Sequence, residues 1–319
     1  MWAAASRGRS SCSRRSGPWP AGCWRCGSGV STGKGWSAMA AERIRKLLRL
    51  WRLYAYLDFM WMTRDLRFFL HCFLSDTILN LAAVSGTFLL AERFSGLGIW
   101  SQPQVVFLLG YGMLVGGLIN TLFGFNVLYI SRRLGRGQLD HTLIQPQPLW
   151  LSLLTEGFMP ISGSAILLPA AGLLWWAGHA LGLNPGVSWW ALFVVQVFAS
   201  ATVATAFSFL WGSLAFWAPH AAEEISSSAL RLVNHLKPFP LDGSGPLLMG
   251  GLLSLLPVGF VAWYPCRFLL GLAPSTWDGA ITPLAALVFA LLASWTFAKG
   301  KKHYERTGSS RYLSFGHRS

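Results

Sequence analysis

Six apolar stretches, each long enough to cross a bilayer, decide what this chain can become. They run at roughly Phe68–Leu90, Val105–Ile130, Leu151–Ala177, Val187–Trp217, Leu247–Leu270 and Ala280–Ala298. A helical span takes about 20 apolar residues. Inside hydrocarbon every backbone N–H and C=O must be satisfied within the protein, so runs of this length are expected to be helices. Composition agrees: only 12% of the 319 residues are charged, against about a quarter in soluble domains. The mean hydropathy is +0.44 and there are 17 Trp. The expected fold class is all-α, a polytopic integral membrane protein of about six transmembrane helices with an N-terminal amphipathic interfacial helix.

The net charge of +14, from 26 Lys and Arg against 12 Asp and Glu, suggests nucleic acid at first sight. A soluble binder of that charge would need polar residues to cover a core, and this chain lacks them. Membrane proteins instead concentrate Arg and Lys on cytoplasmic loops. With residue 67 placed inside, eighteen basic residues fall on inside segments, against Arg93 and Arg267 outside. Arg231 and Lys237 belong to the inside set on the expectation that 218–246 is an inside loop. That segment, with Glu223, Glu224 and several Pro, is also where a short interfacial or re-entrant element is expected to hide. The Asn184-Pro185-Gly186 turn lies between Trp175-Trp176 and Trp189-Trp190, paired aromatics suited to a membrane–water boundary. Both termini are expected in the cytoplasm.

Residues 1–40 read differently from the rest. They carry six basic residues, no acid, many Ser and Gly, and no apolar run. A secretory signal needs an apolar core of about 7–15 residues, which is missing. The segment reads as a disordered extension, or as sequence upstream of a start at Met39. Gly29-Val30-Ser31-Thr32-Gly33 has the spacing of a nucleophile elbow, but no strand precedes it. Gly33-Lys34 echoes a phosphate-binding loop, with Ser28 and Gly35 at positions that need Gly and Ser or Thr. Cys23 and Cys26 are half a zinc site, and the five Cys form no disulfide framework. Residues 41–67 place Leu47, Leu50, Tyr54, Leu57 and Trp61 at three- and four-residue spacing, with Arg43, Lys46, Arg49 and Arg52 on other faces. That pattern suits a helix lying in the interface. Residues 68–298 then form the transmembrane domain and 299–319 a cytoplasmic tail.

Ionisable residues within spans are candidates for function. Asp76, inside the first span, is the candidate for a translocation path; His71 and Glu156, nearer the ends, are expected to snorkel or cap. No carboxylate recurs from span to span, which argues against a secondary transporter or channel subunit. None of the seven His forms a metal-binding spacing, and no clustered polar site speaks for a membrane-embedded lipid-modifying enzyme. The chain is therefore not expected to be an enzyme. Gly112 and Gly116 are spaced for close helix approach, within the subunit or across a dimer. The loop from Ser131 to Pro148 carries Arg132, Arg133 and Arg136, then Gly137, Leu139, Asp140 and Pro146. It reads as a short cytoplasmic helix with a Gly start and a Pro stop, available to a partner.

That loop resembles the coupling loop of bacterial type-2 permeases of ATP-binding-cassette transporters, through its basic run to Arg136 and then Gly137, Leu139, Asp140, Leu143 and Pro146. The best match is the six-helix subfamily of paired permeases encoded beside one ATPase. Residues 256–265 resemble that subfamily's lead-in to its last hairpin, and Tyr304-Glu305 through Tyr312 and Gly316-His317-Arg318 resemble its tail. The likeness covers about residues 41–319; Gln138 departs from it, where the family commonly has Glu. The resemblance implies a permease subunit of an ATP-driven exporter in the bacterial inner membrane. It implies no cofactor in this chain itself, ATP being bound by a partner ATPase. A second permease subunit, identical or paralogous, and membrane lipid would be the other partners. Arg132, Arg133, Arg136, Gly137, Leu139, Asp140 and Pro146 would then be the ATPase-coupling residues.

Overall fold

The structure, a computed structural model, describes residues 34–128, 130–135, 152, 153, 155–242, 245–275 and 277–308. Two compact units divide after Ile44. Of the first, only residues 34–44 are described, as the opening of helix α1 (Lys34–Arg64).

Everything else belongs to the second unit, whose described secondary structure is helical apart from one minimal hairpin. Helix α2 (Leu66–Arg93) begins at Asp65, whose carboxylate accepts the Phe68 N–H at 3.0 Å, a cap worth about 1 kcal/mol. Strands β1 (Gly96–Leu97) and β2 (Trp100–Ser101) pair antiparallel and turn the chain into α3 (Gln102–Leu128). After α3 come the short α4 (Ile130–Gly135), α5 (Ser164–Ala180) and α6 (Val187–Gly212), the last ending in a 3-10 turn, Ser213–Phe216. Helices α7 (Pro219–Leu236) and α8 (Pro246–Ser254) both open on a proline, tolerated there because the missing N–H would have had no partner. A π turn (Gly259–Trp263), α9 (Tyr264–Leu269) and α10 (Asp278–Thr307) complete the chain.

Among the described residues, four helices are long and apolar enough to cross a membrane: α2, α3, α6 and α10. Their outer faces carry exposed apolar side chains such as Leu79, Phe198, Leu291 and Trp295, which require lipid rather than water around them. Helix α3 is the hub and is apolar on every side, as a fully enclosed helix should be. Gly110 and Gly117, seven residues apart, face Leu174 and Leu167 of α5, while Gly112 faces Ala262 and Gly116 faces Lys237. The Gly112 and Gly116 spacing is thus used within the subunit.

The third apolar stretch is not the one continuous helix its composition suggests: Ser152, Leu153 and Thr155 are helical, 156–163 is not, and the next helix begins at Ser164. Gly157, Pro160 and Gly163 keep 156–163 irregular, since proline disfavours the helical conformation of the residue before it. Irregular backbone at this depth survives only when its polar groups find partners. Here the buried Asp58 of α1 supplies them. Its carboxylate accepts the N–H groups of Ile161 (2.8 Å) and Ser162 (3.2 Å) and the Ser162 hydroxyl (2.5 Å). The Met159 N–H reaches the Thr121 carbonyl of α3 at 2.9 Å.

The segment after α6 departs furthest from the sequence reading. Side-chain contacts mark two ends of the bundle. At the basic end, Gly212 lies on Ile130, and Phe216 lies on Gly300 and Tyr304. At the Trp100 end, Trp189 donates to the Leu269 carbonyl at 3.1 Å and packs on Phe107. Helix α7 starts at the basic end, where Glu223 pairs with Arg132. The chain after it reaches the Trp100 end, where Asp242 accepts the indole N–H groups of Trp100 (2.5 Å) and Trp263 (2.7 Å). The stretch 218–246 is therefore no loop at one end: helix α7 runs along the bundle, and Arg231 and Lys237 leave the basic end with it.

The fifth apolar stretch, Leu247–Leu270, is correspondingly not a straight span. Its two limbs meet at 78°. Helix α8 starts four residues beyond Asp242, and α9 ends at Leu269 beside Trp189, so both limbs open toward the Trp100 end. The bend, at Pro257 and Val261, sits level with Gly116 of α3. Pro257 lacks the N–H a continuous helix would need there. The hairpin dips into the bundle and returns; α2, α3, α5, α6 and α10 run along the bundle between the two ends, while α7 leaves the basic end and stops at the level of Gly116, the chain after it covering the rest of the way.

Candidate functional site

Two neighbouring regions concentrate polar chemistry in this apolar bundle: the root of the 131–148 loop, and the cleft that α7 borders. At the root, α4 is anchored by its apolar side. Ile130 and Leu134 are buried with Leu153, Ala215, Phe216, Ala222 and Tyr304. A Cβ at Gly212 would lie 2.0 Å from the Ile130 side chain, so glycine alone permits this approach. The polar side of α4 makes two ion pairs. Arg132 Nε meets Glu223 of α7 at 2.9 Å, and Arg133 meets Glu156 at 3.0 Å. The first pair is half exposed (52% and 34%) and the second less so (24% and 20%). Tyr54 of α1 lies within the field of the second pair. Burial and then the Glu156 charge push its phenol above the usual value, and Arg133 partly offsets them.

Just before this root, α3 breaks at Gly124, with φ 52° and ψ −152°. An L side chain strains at such a φ, and a Cβ there would also meet the Gly157 carbonyl at 2.9 Å. The loop is thus joined to the hub helix through a bend that depends on glycine.

The second region lies along α7. Its inner face buries Ala222, Ser226 and Val233. Its exposed face carries Glu224, Ser228, Arg231 and His235, at helical spacing for one stripe. Arg231 lies 3.7 Å from Glu224 and 3.3 Å from the Ser228 hydroxyl. A polar stripe on a helix flanked by lipid-seeking neighbours requires a watery or polar counterpart. Beside it opens a cleft between α3, α6, α7 and the hairpin, with Gly116, Phe207, Asn234, Lys237 and Val261 in its wall.

The residues singled out from sequence are placed unevenly. Arg132 and Arg133 come together on α4, each engaged with an acid of the same chain. Arg136, Gly137, Leu139, Asp140 and Pro146 lie outside the described residues. Asp76 is exposed on α2 and is not part of the cleft wall. Glu156, expected to snorkel or cap, is the partner of Arg133. Sequence reasoning passed over Asp58, Lys237 and Asp242. An acid in a strongly basic helix was a usable signal for Asp58, and a charged residue just before an apolar stretch was one for Asp242.

The profile of a family described as ABC-2 family transporter protein matches residues 78–308, from α2 through the end of α10. The chain belongs to this family. It is a transport-family protein by that match, and a membrane protein, as its apolar helices require. No curated protein and no solved structure matches it. In this ABC-2 chain the family match takes in the 131–148 loop, both ion pairs of its root, the cleft and the re-entrant hairpin. It leaves out α1, so Asp58 and Tyr54 belong to a part of the molecule that the family profile does not cover.

Proposed function

We propose that this chain is the permease subunit of an ATP-driven exporter, driven through the 131–148 loop by an ATPase carried on a separate chain. The observation that carries the reading is the way the loop root is tied. Through α4 it is continuous with the Gly124 bend of α3, and through Arg132–Glu223 it grips the start of α7. A force on the loop is therefore passed to the helix that borders the cleft. Closure of the ATPases on ATP would bias a two-state arrangement, moving the α7 face between access from the basic end and access from the Trp100 end. The basic end is the cytoplasmic one in this reading, because Arg132, Arg133, Lys299, Lys301, Lys302 and Arg306 lie on its side, with Arg93 and Arg267 toward the other. The polar stripe of α7 faces a second permease subunit across the path, in a bacterial inner membrane.

Asp140 is the residue to test. A carboxylate in the loop can meet an Arg or Lys of the ATPase as a charge-assisted hydrogen bond, and truncating one partner of a desolvated pair costs about 2–5 kcal/mol. Asp140→Ala should reach the membrane in normal amount yet lose transport, or lose the ATPase on purification. Normal transport by Asp140→Ala, with its ATPase still bound, removes the carboxylate from the coupling contact. The purified chain alone should hydrolyse no ATP; hydrolysis free of contaminating ATPase would overturn the assignment.

A further inference from the structure

Lys237 is the charged residue for which loop coupling has no use. It caps the C-terminus of α7, and a Cβ at Gly116, halfway along α3, would come within 3.3 Å of its ammonium nitrogen. The ammonium therefore reaches the middle of the bundle. Among the described residues it meets no hydrogen-bonding or ionic partner. Asp242, five residues on, is already engaged by the indoles of Trp100 and Trp263 and by Arg267. Lys237 carries the only charge in the described cleft wall and Asn234 the only other polar side chain. The remaining wall is apolar, with Val115, Ile119, Phe207 and Val261 among its members.

An ammonium drawn away from water without a counter-ion is costly, and intramembrane cations normally mark a substrate path or a paired acid. The wall offers no acid, so the missing counter-charge belongs to a ligand. We infer that this cleft takes an amphiphile with an anionic headgroup, a phosphate or a carboxylate. Lys237 and Asn234 meet the acid, the absent side chain at Gly116 leaves room for it, and the apolar wall takes the start of the chain. A zwitterionic choline lipid fits poorly, since no acid in the wall would hold its cation. A small inorganic anion would leave the apolar wall uncovered. The inference rests on the permease reading, in which the α7 face borders the path, and names the class of cargo that path accepts.

The test uses the purified full chain in detergent, with binding followed by native mass spectrometry. Phosphatidic acid and phosphatidylcholine of identical acyl chains are compared, and lysophosphatidic acid is compared with glycerol phosphate. The unaltered chain should prefer phosphatidic acid by about tenfold, the factor of one good charge contact. Lys237→Gln should bring the two lipids to near parity, and Lys237→Arg should keep the preference. Lysophosphatidic acid should bind well below the concentration needed for glycerol phosphate. A preference for phosphatidic acid that persists in Lys237→Gln, or that is missing in the unaltered chain, overturns the inference. Equal binding of glycerol phosphate and lysophosphatidic acid overturns its amphiphile part. Loss of the preference in both Lys237 variants, with each monodisperse on gel filtration, also counts against it, because a charge contact survives Lys→Arg. The assay needs no ATPase, so failure here leaves the permease reading standing. A chain that passes and yet never assembles with an ATPase defeats that reading alone.

Discussion

The start of α7 and the chain that follows its end are both held by carboxylates, but in opposite manners. At the basic end Glu223 meets Arg132 in a half-exposed pair, and exposed pairs of this kind contribute about 0–1 kcal/mol. At the Trp100 end the Asp242 side chain is only 12% exposed. It accepts two indole N–H groups, from Trp100 and Trp263, and lies 3.5 Å from Arg267, which itself sits over the Trp263 ring. Both indoles are almost wholly buried. One end is a clasp that opens cheaply and lies beside the Gly124 bend. The other is a pin that ties the chain after α7 to the start of α3 and to the re-entrant hairpin. A transporter that rocks α7 would move the first end about the second.

Asp242→Ala should have the largest effect. It strands two buried donors and a half-buried guanidinium, and breaking a buried charged cluster costs about 3–5 kcal/mol. A sharp drop in thermal stability in detergent, or failure to accumulate, is expected, with Asp242→Asn intermediate because it keeps an acceptor. Stability equal to that of the unaltered chain would remove the pin from the comparison.

Gly124→Ala should come next. Forcing an L residue into this left-handed region and against the Gly157 carbonyl costs about 1–3 kcal/mol. The expected result is a modest loss of stability with a larger loss of transport per molecule. If transport and stability fall in proportion, the bend is merely structural.

The smallest effect belongs to Glu223→Gln, which should alter stability by under about 1 kcal/mol. Whatever small stability difference exists should shrink further as salt is raised, since exposed pairs are screened over about 8–10 Å at physiological ionic strength. A loss comparable to that of Asp242→Ala would mean that the two ends are equally rigid.

Much of this was legible in the amino acids. Apolar length alone located α2, α3, α6 and α10, because a helix that crosses hydrocarbon is apolar along its length whether lipid or protein surrounds it. Arg132 and Arg133, singled out in the sequence, lie on α4, where each pairs with an acid of the same chain. Helix α7 was not legible as a lengthwise element. Its polar residues, Glu224, Ser228, Arg231 and His235, make it resemble a surface loop or interfacial helix to any hydropathy argument. The re-entrant hairpin erred in the other direction: Leu247–Leu270 is as apolar as a span, and only Pro257 hinted that it folds back.

What the sequence by itself determined is the class of solvent and the class of structure: a helical membrane protein whose basic residues crowd one side. That follows from local arithmetic, since each stretch meets the bilayer largely by its own composition. Depth and partnership were decided only by tertiary structure. Asp58 satisfies donors about a hundred positions along the chain, Asp242 joins Trp100 to Trp263, and Lys237 stands against Gly116. A charge buried in a membrane protein is stable or reactive according to what faces it. No periodicity in α7 records that its neighbour across the cleft is a glycine rather than an acid.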